Sequence, residues 1–304
     1  MAKYAKPLLD LEGNVRHDNG DWVEAGTIFV EDDLGVTGRP AMSAIYLPNK
    51  FRAESKVDVL LYLHGFTKLA SIQAYLQSFK LRKIVEDSGK NVIFIAPTLG
   101  LQAESGNLVN SGVAMDYLNR MMGHVRTYGP YPTNGPAPRI RNIVLAAHSG
   151  GGYSMMKIAN DLKKADQNKE CWGFDCLYVP GKELPLAAPA PYTWKEPTHT
   201  AAINLEKWLY EIKQKPEGFW VDWARAGNSF RLFWGNGGTL TRTASCHLYS
   251  IMPPASPGVQ VEPAFYDAYP SIVKKATLPA PAAQHDAVPE AVLGKCLSGA
   301  RTLG

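Results

Sequence analysis

Cysteine is scarce in this sequence, long apolar runs are missing, and neither sign of charge dominates. Four cysteines in 304 residues, Cys171, Cys176, Cys246 and Cys296, are too few for a disulfide scaffold and lack the paired spacing of zinc ligands. Free thiols are therefore expected, with a bridge left open. No stretch approaches the ~20 apolar residues that cross a bilayer, so no membrane span is expected. The opening "MAKYAKPLLDLEGNVRHDNG" has no continuous apolar core and no small-residue cleavage site, which is unlike a signal peptide. If nothing precedes Met1, the expected location is cytoplasmic. The 32 Lys and Arg residues against 28 Asp and Glu leave a formal charge of +4, and no run of basic residues stands out. That argues against a nucleic-acid partner. The phosphate-binding patterns G-x-x-x-x-G-K-[ST] and G-x-G-x-x-G are missing as well.

What is present is an ordinary globular composition, with 45% hydrophobic residues and alternating strand-like and helix-like segments. The length suits two average domains, or one α/β domain carrying an insertion. Residues 21–48 hold two β-rich runs around a Gly/Pro turn, which predicts an antiparallel hairpin. "VDVLLYLHG" (57–65) and "NVIFIAPTLG" (91–100) are continuous apolar runs of the kind that strands covered on both faces require. Between them "SIQAYLQSFKLRKIVEDSG" predicts a helix. "NSGVAMDYLNRMMGHVRTYG" predicts another, capped by Asn110 or Ser111 and ended at Gly129. "IRNIVLAA" and "GGYSMMKIANDLKK" repeat the unit. "CWGFDCLYVPG" (171–181) is a weaker strand, and "NSFRLFWGNGG" (228–238) resumes the pattern after a proline- and tryptophan-rich stretch. A helix through "TASCHLYSIM", a last strand at 271–279 and a helix in "VPEAVLGKCLSGA" complete the chain. Alternation of this kind implies right-handed crossovers and a mostly parallel central sheet flanked by helices, with ligands at the carboxyl ends of the strands.

At one such end lies "AHSGG" (147–151). A serine at a strand-to-helix turn needs small neighbours so that the bend can close and lift the hydroxyl above the sheet. Here those neighbours are Ala147 and Gly151, with Gly150 and Gly152 adding freedom. This stretch, "LHGF" (63–66) after the earlier strand, and a histidine near the C-terminus resemble the α/β-hydrolase superfamily, whose nucleophile elbow reads G-x-S-x-G. Ala147 departs from the first glycine of that pattern by one methyl group.

The resemblance implies an α/β-hydrolase fold, its core spanning 1–181 and 229–304; the proline- and tryptophan-rich stretch 182–228, which interrupts the strand pattern, is expected to form a helical cap insertion over the sheet edge. It implies Ser149 as nucleophile and the backbone amides of Phe66 and Gly150 as an oxyanion hole, with the Thr67 amide the alternative to that of Phe66. His64 is expected to order its loop. The base follows the last strand, where His285 fits; His247 is the rival, in a stretch that reads as an amphipathic helix. His148 is expected to point away from Ser149, and His17, His124 and His199 fall outside the zone. The acid usually follows the strand that here reads "FRLFWGNGG", but that turn offers only Asn236, and Glu262 and Asp267 lie far beyond it. Some members place the acid one strand earlier, which selects Asp175, with Glu183 a more distant alternative. An Asp there can also be a structural residue, and Asp286 reads as a helix cap. Trp194, Trp208, Trp220 and Trp223 are available to line an apolar substrate pocket, packing between cap and body being the other reading.

The implied function is a serine hydrolase that cleaves carboxylic esters, small or polymeric, through an acyl-enzyme and without metal or cofactor. An amidase or peptidase using the same triad, and a non-catalytic binding protein on the same fold, are the alternatives.

Overall fold

In the computed structural model the described residues are 26–132, 134–163, 167–177, 216–234, 245 and 280–304, together with short strands at 8–9, 15–16, 22–23 and 259–263. The strands Leu8–Leu9 (β1), Val15–Arg16 (β2) and Trp22–Val23 (β3) form a small antiparallel sheet. The main sheet holds Thr27–Glu31 (β4), Met42–Tyr46 (β5), Lys56–Leu63 (β6), Val92–Pro97 (β7), Arg139–His148 (β8), Asn168–Phe174 (β9), Ser229–Trp234 (β10) and Val259–Pro263 (β11). Its order is β11-β10-β9-β8-β6-β7-β5-β4. All pairs from β11 to β7 are parallel, and β5 and β4 add the predicted antiparallel hairpin at one edge.

Apolar residues run unbroken along β7 and along the later parts of β6 and β8, Val59–Leu63 and Ile143–Ala147, because both faces of the sheet are covered there. Val57, Val59, Leu61 and Leu63 share one core with the helices Val113–Tyr128 (α3) and Gly151–Leu162 (α4). Leu60 and Tyr62, on the alternate positions, share the other core with Ile72–Ser78 (α1), Leu81–Asp87 (α2) and the final helix Ala280–Ser298 (α6).

Several local expectations are corrected. The single helix read over 71–89 is two, because Phe79 turns extended and stacks its ring on Tyr75 at 4.3 Å. Helix α3 is entered through Gly112 at φ 79 rather than capped by Asn110 or Ser111. The Asp161 carboxylate of α4 accepts from Ser111 Oγ and the Gly112 amide, supplying the negative charge that a helix start favours. Within the stretch 182–228 read as a cap, Pro216–Arg225 (α5) packs on the sheet: Trp220 stacks on Phe230 of β10 at 4.1 Å, and Trp223 Nε1 donates to the Ser229 carbonyl at 3.0 Å. The tryptophans of that helix cover an apolar strand face. The strand β11 is an addition to the elements expected from the sequence, whereas the strand expected at 271–279 and the rest of 182–215 lie outside the described residues.

Two buried carboxylates tie the C-terminal segment to the sheet. Glu170 on β9 accepts from Trp172 Nε1 at 2.9 Å, the Arg301 amide at 3.0 Å and Thr302 Oγ1 at 3.2 Å. Beside it the buried Arg231 donates to the carbonyls of Cys296 and Gly299, which clamps the end of α6. Asp58 on β6, with no exposed surface, accepts from Arg141 Nε at 2.9 Å and Nη2 at 2.7 Å, Asn142 Nδ2 at 2.9 Å and the Gly304 amide at 3.0 Å. Burial opposes ionisation of Asp58, but these donors outweigh it and hold its carboxyl below the ordinary range. A depressed folded-state pKa gives stability that is present above the unfolded value and lost as pH falls through the folded one. Thermal unfolding of Asp58→Asn is therefore expected to lie well below wild type at pH 7, by about 2 kcal/mol or more. The gap should narrow as pH drops below about 4. A gap that stays constant with pH would show that the charge of Asp58 is not what stabilises the fold.

Candidate active site

Ser149 sits at the carboxyl end of β8, in the turn that opens α4, with φ at 51°. An L-residue in this left-handed region is strained by roughly 1–3 kcal/mol. Among the described residues the other non-glycine cases are Ala103 and Asp175, and all three fall at this same edge of the sheet. The bend closes because its neighbours are small. An added Cβ on Gly65 would stand 2.3 Å from Ser149 Cβ, one on Gly151 would stand 2.5 Å from the Leu63 carbonyl oxygen, and one on Gly152 would stand 2.0 Å from that of Cys176.

Parallel pairing then sets the neighbours of Ser149. Its amide donates to the Phe174 carbonyl at 3.1 Å, and the next residue, Asp175, donates in turn to the Phe233 carbonyl of β10 at 2.6 Å. Asp175 is fully buried, and its Oδ2 accepts from His285 Nδ1 at 2.6 Å. The two residues are 110 positions apart. Burial lowers the affinity of His285 for a proton, but the Asp175 hydrogen bond and charge and the Asp286 charge outweigh it, so its pKa lies above the usual histidine range. The bond to Asp175 fixes the Nδ1–H tautomer of the neutral ring and leaves Nε2 as the basic nitrogen.

His285 lies inside α6 rather than before it, and Asp286 is a residue of that helix rather than its cap. Helix α6 contains Pro289, which has no amide hydrogen to donate to the carbonyl four residues back, that of His285. His148 supplies the missing donor: its Nε2–H reaches the His285 oxygen at 3.0 Å, and the two rings lie 4.7 Å apart. His148 is 2% exposed, and burial first, then the neighbouring His285 and His64, push its pKa far down. Its role is not legible from motif spacing. The one local signal is a proline four residues after the candidate base.

The Phe66 amide nitrogen lies 4.0 Å from where a Cβ on Gly150 would stand, so the two candidate oxyanion donors come from adjoining backbone. The loop between them and β7 is held by His64, which is buried. Its Nδ1–H donates to the Gly65 carbonyl at 2.7 Å, and its Nε2 accepts from the Leu99 amide at 2.9 Å. Burial pushes the His64 pKa down to about 4, so the ring is a neutral clamp. Phe66, Leu101 and Tyr153 are half or more exposed, and they are the exposed large hydrophobic residues among those described. Each follows a strand end at the Ser149 edge.

Of the tryptophans read as pocket-lining, Trp220 and Trp223 are buried against β10, which is the packing reading, and Trp194 and Trp208 lie outside the described residues, as do Glu183 and His247. Cys171, Cys176 and Cys296 are free, buried thiols, whereas Cys246 lies outside. His148, His285 and Asp286 each bring a donor atom within 4.8 Å of the others, the one group of described residues with the chemistry to hold a metal ion. One nitrogen of each ring is already engaged, with Asp175 and with the His285 carbonyl. A cleft of about 430 Å³ lined by Glu54, Tyr131, Pro136 and Arg139 opens at the opposite edge of the sheet, beside the amino ends of β6 and β8, and contains none of these groups.

The sheet order, parallel from β11 to β7 with an antiparallel β5–β4 edge, is that of the α/β-hydrolase fold; the strained serine follows β8, and the His–Asp pair comes from α6 and the residue after β9. No family model and no curated protein sequence matches the chain. Among solved structures it is similar to a thermostable carboxylesterase cloned from a metagenomic library, at 15% identity over 90% of this chain and 88% of that one, with a TM-score of 0.49. It is similar also to an S-formylglutathione hydrolase from Agrobacterium tumefaciens, at 14% identity over 86% and 89%, with a TM-score of 0.43. A ferulic acid esterase matches at 14% identity over 85% and 96%, with a TM-score of 0.46. Identities of this size say nothing of substrate. Among the described residues no helix is long and apolar enough to cross a membrane.

Proposed function

We propose that the protein is a serine hydrolase that cleaves carboxylic esters through an acyl-enzyme. The observation that carries this reading is the 2.6 Å hydrogen bond between His285 and the fully buried Asp175, formed beside a serine held at φ 51° on a strand-to-helix turn. Strain at one residue and a buried ion-pairing partner for a histidine 110 positions away are costs that packing alone does not require.

In this mechanism His285 Nε2 takes the Ser149 hydroxyl proton as Oγ attacks the ester carbonyl carbon. The carbonyl oxygen gains the negative charge and is held by the Phe66 and Gly150 amides at the positive end of α4. The imidazolium, stabilised by Asp175, returns its proton to the leaving alkoxide, and the C–O bond to the alcohol breaks. Water then enters and gives a proton to His285 as its oxygen attacks the acyl carbon; His285 returns that proton to Ser149 Oγ as the acyl–Oγ bond breaks, releasing the acid. The exposed apolar side chains Phe66, Leu101 and Tyr153 favour an acyl or aryl group over a charged one at the mouth of this site.

Titration with a fluorophosphonate, run beside turnover of p-nitrophenyl esters and their matched anilides, tests the reading. Stoichiometric labelling on Ser149 is expected, with ester turnover exceeding that of the anilide. Labelling with faster anilide turnover would move the assignment to an amidase. A protein neither labelled nor active would be a binding protein on a hydrolase fold.

A further inference from the structure

The serine before the helix is preceded by a buried histidine whose chemistry the reaction above does not use. His148 is nearly inaccessible, yet among the described residues its Nδ1 has no hydrogen-bond partner. An apolar ring of the same size would fill the space without leaving a buried nitrogen unpaired, so packing does not account for an imidazole here. What phenylalanine would lack is the Nε2–H that reaches the His285 carbonyl at 3.0 Å. That carbonyl is open only because Pro289 removes the helical donor that would otherwise occupy it. Donor and vacancy are complementary: β8 supplies an N–H at the one turn of α6 that has lost its own.

We propose that His148 is a positioning residue for the base, its Nε2–H anchoring the main chain of His285 so that the imidazole is held between Asp175 and Ser149; this rests on the serine-hydrolase reading. The anchor joins the residue just before the nucleophile to the residue bearing the base. Any movement of β8 relative to α6 is therefore resisted at the place where Ser149 and His285 must meet. His148 acts through His285 and touches no substrate. Its ring, packed 4.7 Å from that of His285, remains neutral because it is buried beside a group that becomes cationic during turnover.

The test compares His148→Gln, whose amide N–H can take the position of Nε2–H, with His148→Phe, which keeps an aromatic ring and loses the donor. Each is read by kcat/KM on a p-nitrophenyl ester, by thermal unfolding, and by the low-field proton resonance of His285 Nδ1–H against Asp175. Positioning predicts His148→Phe to remain folded, its unfolding temperature lowered by the carbonyl left without a donor, with kcat/KM lowered tenfold or more and the resonance shifted or lost. His148→Gln should stay within about threefold of wild type with the resonance in place. A His148→Phe protein with wild-type turnover and an unmoved resonance would overturn the proposal, as would two variants equally impaired in turnover and resonance. Should the wild-type protein prove inert towards esters and fluorophosphonate, the hydrolase reading fails. The resonance then judges the anchor by itself: unchanged in His148→Phe, it overturns the anchor too.

Discussion

Ser149→Ala is expected to abolish fluorophosphonate labelling and to lower ester turnover on the order of 10⁵- to 10⁶-fold, about 7–8 kcal/mol of transition-state stabilisation. His285→Ala should cost about as much, since an alkoxide cannot form without a base. The double variant should lose little more, because the two groups act as one unit. Asp175→Asn should be milder, on the order of 10⁴-fold, because the geometry survives while the tautomer and the charge do not. Single-turnover kinetics on an aryl ester measure all four proteins. Additive losses in Ser149→Ala and His285→Ala would mean that the two residues act separately and that the proposed proton transfer is wrong. An Asp175→Asn protein with wild-type turnover would return Asp175 to the structural role that its place after a strand also allows.

Gly152→Ala is the second large effect, and it falls on the fold. The added Cβ would meet the carbonyl oxygen of Cys176 at 2.0 Å and its carbonyl carbon at 2.9 Å. Both are backbone atoms of the segment that carries Asp175, so neither can swing aside as a side-chain end would. Relief requires α4 to move away from the end of β9. A loss of about 3 kcal/mol or more is expected in chemical denaturation. Gly123→Ala in α3 is the control, because a Cβ there meets nothing within 4 Å, and it should gain about 0.5–1 kcal/mol from helix propensity. Gly65→Ala differs from both, since its Cβ would press on Ser149 itself at 2.3 Å, so activity should suffer more than stability. Equal stability of the Gly152 and Gly123 variants would refute the tight approach of α4 to β9.

The contrast among these glycines shows where local pattern stops being informative. Gly65 and Gly152 stand in or next to the two motifs and Gly123 in a helical run, but the motifs do not say which glycine presses on the nucleophile and which on a neighbouring strand end. Only the distance from each Cβ position to another segment separates a glycine that must stay from one that costs stability. The tryptophans behave similarly. Trp220 and Trp223 lie in a proline-rich stretch with the composition of a cap, but their helix has an apolar flank and β10 has an uncovered one. The stretch 71–89 forms two helices because Phe79, whose amide still donates to the Tyr75 carbonyl, turns extended with its ring stacked on Tyr75, a turn that periodicity does not record.

By itself the sequence determined the alternation of buried strands and helices, hence a mostly parallel sheet, and it marked Ser149 by the small residues that a strand-to-helix bend demands. These are properties of neighbours along the chain, set by side-chain size and hydrophobic period. It narrowed the base and the acid to His285 or His247 and Asp175 or Glu183 without joining any pair. The tertiary structure alone brought His285 to Asp175 across 110 residues, placed His148 against the carbonyl that Pro289 leaves open, and put Phe66 beside Gly150. Hydrogen bonds of that kind depend on sheet order and on where a helix docks, and neither is written in the spacing of the residues that make them.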